Sequence, residues 1–293
     1  MDKGLPDRPL ILDRLSASGF PEGLSVDIQD FPDGIVIPLD KPWRWTSADA
    51  VRKVKYAAIR HFGKKNLKVG HAGTLDPLAT GVLIICIGPA TRIAQTLQDH
   101  PKEYVAGISF GATTPSYDLE KEPDRTFPVD GVSRESLNEA LKGFIGEQEQ
   151  IAPLFSAKSV DGVRAYEMAR KMYRHGDGSF DEKALEMLQM AKITISEAEL
   201  MSFCGGGPVP VQQAPDDASS ASGRIHYADV SGLDLPHAEV RIRCSKGTYI
   251  RAFARDLGEA LGSGAFLHSL RRTCSGPFKA EDALTLEDAL SLL

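Results

Sequence analysis

The sequence predicts an α/β domain built on a mixed, mostly antiparallel sheet flanked by helices. Two observations carry that expectation. Short apolar, β-branched runs alternate with segments whose apolar residues recur at helical spacing, and several of the strand-like runs follow one another as hairpin-like partners. No internal repeat interrupts the pattern, and 293 residues are enough for a sizeable core.

Taken in order, residues 1–33 are rich in Pro, Gly and Asp with weak periodicity, and read as an extension that packs loosely or not at all. The domain proper is expected over 34–293. It opens with a short strand, GIVIPLDKP (Gly34 to Pro42), that ends in a turn. The next segment, TSADAVRKVKYAAIRHFG, predicts a helix capped by Thr46 or Ser47. Val51, Val54, Ala58 and Ile59 lie on one side, and Gly63 stands just past the end. A glycine-rich loop follows, then a buried strand over Val82–Ile87 that Gly88 and Pro89 stop. ATRIAQTLQDH is a short helix, and Lys102 to Asp118 a half-buried strand followed by a turn-rich loop. SRESLNEALKGFIG and VRAYEMARKMYRHG are helices, and AKITISEAELMSF is a strand. Gly205 to about Leu235 breaks every periodicity and reads as a flexible insertion, since its composition cannot bury a core. HAEVRIRCSKGTYIRAFARDLGEALG returns to a strand, a glycine turn and a helix, and TLEDALSLL closes the chain.

Net charge is −6, but the charge is segregated. From Asp40 to Gly70 nine basic residues, Lys41 and Arg44 through Lys65 and Lys68, face only two acids, and further arginines cluster near residues 241–255 and 271–272. A local basic face can bind a phosphate backbone on an acidic protein. For residues 48–62 alone, a solvated helix face accounts for the basic residues equally well. No apolar run approaches the roughly 18 residues of a membrane span, and the N-terminus has no secretory character, so a cytoplasmic protein without membrane contact is expected. With no long apolar element left over, a monomer is expected. The four cysteines lie far apart and suggest reduced thiols rather than a zinc site.

The chemistry is narrowed by what is missing. No phosphate-binding glycine loop, dinucleotide fingerprint, metal-ligand spacing or serine-nucleophile motif occurs, so neither nucleotide hydrolysis, nor a nicotinamide cofactor, nor a catalytic metal is signalled. What stands out is GHAGTLDPLATGVL, Gly70 to Leu83, which sets one carboxylate, Asp76, among small and backbone-permissive residues. An Asp-Pro step commonly caps a helix. The same acid on a shaped loop suits nucleophilic catalysis.

GHAGTLDPLATGVL closely resembles the catalytic motif of the TruB family of tRNA pseudouridine synthases. DKPWRWTSADAVRKVK, KEYVAGISFGATTPSYD and SKGTYIRAFARDLGEALGSGAFLHSLRR are similar to further stretches of that family, in the family's order, over about residues 35–285. The resemblance implies a pseudouridine synthase fold and isomerisation of uridine 55 in the T loop of tRNA, without cofactor or metal. It implies that Asp76 attacks the flipped uridine, at ribose C1′ or at ring C6. Tyr104 would stack on the base, and Arg251 would pair with the aspartate, a guanidinium being suited to keep a partly desolvated acid ionised. Tyr249, two residues earlier, is expected on the same strand face as Arg251, in the base pocket, with Leu270 as an apolar wall. His71 would fill the space left by flipped nucleotides. Lys41, Lys158, Arg164, Arg271 and Arg272 are candidate phosphate contacts. The family commonly carries a C-terminal PUA-type RNA-binding domain; none is expected in this chain, so recognition should rest on the T stem-loop. An RNA-binding protein without chemistry, and a glycosidic hydrolase, remain the competing readings.

Overall fold

The computed structural model describes residues 8–153, 159–160, 163–164, 190–212 and 225–293. They divide into two units. The first comprises the described residues within 1–105, 213–225 and 270–293, and the second those within 106–212 and 226–269. Strands β5 and β13 below each have residues in both.

Along the chain, β1 (Leu10–Ile11), α1 (Arg14–Ala17), β2 (Ile35–Lys41), α2 (Ser47–His61), β3 (Val69–His71), β4 (Thr80–Ile87) and α3 (Ala94–Asp99) lead to β5 (Lys102–Phe110). Then come β6 (Ala112–Thr113), β7 (Arg125–Thr126), α4 (Arg134–Lys142), β8 (Gly146–Ile151), β9 (Ser159–Val160), β10 (Val163–Arg164) and β11 (Met190–Cys204). The last elements are β12 (His237–Cys244), α5 (Ile250–Ala260), β13 (Ala265–Ser275), β14 (Phe278–Lys279) and α6 (Leu286–Ser291).

In the first unit β2 and β4 form the core pair. They run antiparallel from Ile35↔Ile87 to Lys41↔Gly81, and Ile35, Ile37, Leu39, Leu83, Ile84 and Ile85 are fully buried. Both strands read as near-continuous apolar runs because they are covered on two faces. β3 adds antiparallel to β4, whereas β1 pairs parallel with β2 and the end of β13 pairs parallel with β4. The sheet is therefore mixed, as the sequence predicts. Helix α2 starts where Thr46 accepts from the Asp49 amide, and it turns Val54, Ala57 and Ala58 inward.

The expected loose extension is corrected over its described residues, 8–33. Leu10 and Ile11 extend the sheet by pairing with Ile35 and Val36. Leu12 is fully buried and Leu24 is 4% exposed. At about 25 cal/mol per Å² of apolar surface, burial of this kind fixes a segment that local propensity cannot.

In the second unit β12 pairs antiparallel with β11, and β11 pairs antiparallel with β8. The expected flexible insertion is likewise corrected over its described residues. The Val209 amide donates to Leu233 O (3.0 Å), the Leu235 amide to Gly207 O (2.9 Å) and the Ala228 amide to Leu119 O (2.8 Å), with Val209, Ala228 and Val230 buried. Of the expected helix at 163–176 only Val163 and Arg164 are described, as strand β10; the rest lies outside the described residues.

His268 on β13 is buried, with Nδ1 2.9 Å from Ser109 Oγ and its ring 6.0 Å from that of His237. Burial, and secondarily His237, push its imidazole down to about 4 from 6.5. Between those values the unfolded chain binds a proton that the folded chain refuses, so stability present above pH 6.5 is lost as pH falls toward 4. Fully titrated, that gap corresponds to about 3 kcal/mol. Urea midpoints measured from pH 7 to 4.5 are expected to fall more steeply for the wild type than for His268→Gln. Parallel curves would contradict this.

Candidate active site

The segment between β3 and β4 carries the acid singled out by the sequence. Asp76 O accepts from the Ala79 amide at 3.1 Å, with Pro77 at the second position of the turn, where its fixed φ fits. No helix follows. Strand β4 begins at Thr80, so Asp76 does not cap a helix, and its side chain is half-buried.

Three side chains pin this loop through its own backbone. Ser47 Oγ donates to Leu75 O (3.0 Å) and accepts from the Leu75 amide (2.9 Å). Because Thr46 takes the capping role, the Ser47 hydroxyl is left for this task. Lys41, 1% exposed, donates from Nζ to Pro42 O (2.9 Å), Trp45 O (2.6 Å) and Pro77 O (3.1 Å). Arg272, also 1% exposed, donates to Val82 O (2.7 Å), Gly73 O (3.2 Å) and Thr74 O (3.3 Å). An ammonium and a guanidinium, each with several fixed donors, are suited to gathering carbonyls that a tight turn leaves without partners. The phosphate contacts expected at Lys41 and Arg272 are thereby corrected: both are sealed in the protein and hold the loop.

Gly81 explains one constraint of the motif. Its φ is +95°, and a Cβ there would stand 2.1 Å from Arg272 O, so only glycine lets β4 and β13 approach at this point. Next to it, Arg271 grips Asp40 with both terminal nitrogens (3.1 and 2.7 Å), and Asp40 Oδ1 accepts from the Gly81 amide at 3.0 Å. Arg271 thus spends its fork on a carboxylate.

His71, at the end of β3, is half-buried, and its Nδ1 has no hydrogen-bond partner among the described residues. Burial, and after it the Arg272 guanidinium, lower its pKa below the usual 6.5. The ring is therefore neutral at pH 7, a flat, weakly polar surface suited to stacking. Tyr104 on β5 (8% exposed) and Leu270 on β13 (9% exposed) are buried strand residues of the same unit.

Tyr249 and Arg251 belong to the second unit and correct the expected strand face. Tyr249 is the N-cap residue of α5, and Arg251 lies in its first turn. The Tyr249 backbone is held by Gln150, whose side chain accepts from the Tyr249 amide (2.8 Å) and donates to its carbonyl (3.1 Å). Arg251 is 4% exposed. It donates to Ser116 O at 3.1 Å and lies 3.7 Å from Oδ2 of the buried Asp118, whose Oδ1 accepts from Ser116 Oγ and the Glu120 amide. Lys158 lies outside the described residues, as does the side chain of Arg164. Among the described residues no group of three or more His, Cys, Asp or Glu could hold a metal ion, and no helix is long and apolar enough to cross a membrane.

Residues 60–207, half of the chain, match the model of the TruB family pseudouridylate synthase N-terminal domain. The chain belongs to this family. A second model, the tRNA pseudouridylate synthase B C-terminal domain, matches residues 251–293. A protein of Phocaeicola vulgatus named tRNA pseudouridine synthase B is 46% identical over 258 residues, covering 88% of this chain and 92% of that one. A protein of the same name from Deinococcus radiodurans is 37% identical over 255 residues, covering 86% and 77%. Among solved structures, a Cbf5-Nop10-Gar1 complex matches with a TM-score of 0.55 at 26% identity, over 87% of this chain and 53% of that chain. An H/ACA RNP bound to a substrate RNA containing 2′-deoxyuridine gives 0.53 at 25%, over 92% and 58%. The chain thus spans about half the length of those solved chains and most of the length of the two bacterial relatives. Within the TruB family frame, His71, Asp76 and Tyr104 fall inside the N-terminal match and Arg251 and Leu270 inside the C-terminal one. Lys41 and Tyr249 lie outside both.

Proposed function

We propose that this chain converts uridine 55 in the T loop of tRNA to pseudouridine, with Asp76 as the nucleophile. The observation that carries the reading is Asp76 itself. It is the only carboxylate between Ala50 and Gln98, half-buried on a loop whose backbone is pinned by Ser47, Lys41 and Arg272. A nucleophile held on a braced turn can meet a reacting carbon without reorganising. Family membership supplies the reaction class, and the bacterial relatives named as tRNA enzymes supply the substrate class.

In the reaction, Asp76 adds to ribose C1′ or to ring C6 of the extruded uridine, and the N1–C1′ bond breaks. The base turns, C5 bonds to C1′, the C5 proton leaves to solvent and N1 gains a proton. The carboxylate is released unchanged, so atoms and charge balance without an oxidant or cofactor. Extrusion of the base costs a few kcal/mol, which the neutral His71 ring offsets by stacking in the vacated space. The roles of Tyr104, Tyr249, Leu270 and Arg251 rest on the resemblance to the family. The substrate enters from solution, and the chain works as a monomer in the cytoplasm.

Nucleotide-resolution mapping of an unmodified tRNA transcript after incubation tests the position. One pseudouridine at residue 55, and none in a transcript carrying cytidine there, is the expected result. Modification confined to another uridine would overturn the assignment.

A further inference from the structure

Next to the catalytic loop the first unit carries a feature that the chemistry above does not use. A cleft of about 480 Å³ is lined by Lys55 from α2, by Lys65, Asn66 and Lys68 from the turn that follows, by Gly70 of β3 and by Thr91. The three lysines are exposed, and none takes part in the ion pairs found among the described residues. From Ala50 to Leu75 the chain carries no carboxylate, so nothing on these elements neutralises them.

The cleft is shaped rather than a loose run of basic side chains. Leu67, 4% exposed, anchors the turn, the Gly88 amide donates to Lys68 O at 2.8 Å, and Thr91 Oγ1 donates to Gly88 O at 2.8 Å. Three like charges held about one concavity repel one another, and a polyanion laid across them removes that cost while releasing its counterions.

From its position and charge we infer that this cleft is a binding groove for the RNA phosphate backbone flanking the target nucleotide. The inference rests on the proposed function and names where that substrate is gripped. β3 leads from the cleft rim straight to His71. At about 3.3 Å per strand residue, Lys68 stands about 10 Å from His71. With about 3.4 Å of rise per nucleotide, that is about three nucleotides from the extruded base. The groove therefore engages an isolated T-arm stem-loop as well as whole tRNA.

The test compares Lys55→Gln/Lys65→Gln/Lys68→Gln with a control of equal charge change, Lys121→Gln/Lys142→Gln/Lys279→Gln. Equilibrium binding of an unmodified T-arm stem-loop is measured for both, and for the wild type, from 50 to 300 mM salt. The cleft variant is expected to bind at least about tenfold more weakly at the lowest salt, and its slope of log K against log salt to be shallower by about 2, since each lost phosphate contact removes about 0.7–0.9. The control should follow the wild type. Equal losses in both variants, or none in either, would overturn the groove. A wild type that forms no pseudouridine in tRNA, with the cleft variant still selectively weakened in binding, would overturn the proposed function and leave the groove standing.

Discussion

Asp76→Asn is expected to lower the rate of pseudouridine formation at least about a thousandfold while leaving RNA affinity within about threefold of the wild type. The substitution replaces one carboxylate oxygen by an amide nitrogen of nearly equal size, so shape and loop packing persist. What is lost is the negative charge that makes the carboxylate oxygen nucleophilic toward carbon, the amide oxygen being neutral and delocalised. The turn at Asp76 is held through Asp76 O and Pro77 O, backbone groups that the change does not touch. The variant should therefore remain folded under the assay conditions. Saturation kinetics on a tRNA transcript, with binding and urea unfolding measured on the same preparation, check all three parts. A variant with unchanged affinity and a rate within tenfold of the wild type would remove Asp76 from the chemistry.

The second large effect is expected at Arg272, which never meets substrate in this account. Arg272→Met keeps most of the buried stem and deletes the guanidinium, so Gly73 O, Thr74 O and Val82 O each lose a donor inside the protein. Each buried group left without a partner costs about 1–3 kcal/mol, and a total of about 3–5 kcal/mol is expected. Arg272→Lys should recover only part, because one ammonium cannot reproduce the planar fork. Turnover should fall by about a hundredfold in protein that is still folded, since a displacement of about 1 Å at a reacting group has that consequence. The neighbouring change Arg271→Met removes a pair whose cation is 41% exposed, worth about 1 kcal/mol or less. Equal destabilisation by the two variants, read from urea midpoints, would contradict the assignment of Arg272 as the loop's anchor.

What could be read in the sequence was whatever local rules decide. Thr46 caps α2 because its hydroxyl meets the Asp49 amide three residues on, and Ser133 caps α4 by the same rule. The apolar run through Val82–Ile87 forms a buried strand whatever lies beyond it. The long-range decisions were not legible. Leu10 and Ile11 become a strand only because β2 offers a free edge, and GEQEQI becomes β8 only by pairing with Met190–Ile195. Lys41 and Arg272 look like surface cations in one dimension. Their burial depends on carbonyls from residues 36 and about 199 positions away in the chain converging on their donors. Two-residue strand spacing does not apply at Arg251, because only Thr248 and Tyr249 separate the glycine turn at Lys246–Gly247 from the start of α5. The site was legible for a different reason. Asp76 and the glycines around it form one contiguous segment, so neither its chemistry nor its backbone needs waited on distant pairing.

The claim that Asp76 carries an isomerisation is tested most directly by counting protons. Unmodified tRNA labelled with tritium at uracil C5 is mixed with excess enzyme, and tritium released to water is followed in a single turnover for the wild type and for Asp76→Asn. One equivalent released per tRNA by the wild type, with no burst from Asp76→Asn although both bind the RNA, is the expected result. Release from Asp76→Asn at the wild-type rate, or no release by a wild type that binds the tRNA tightly, would contradict it.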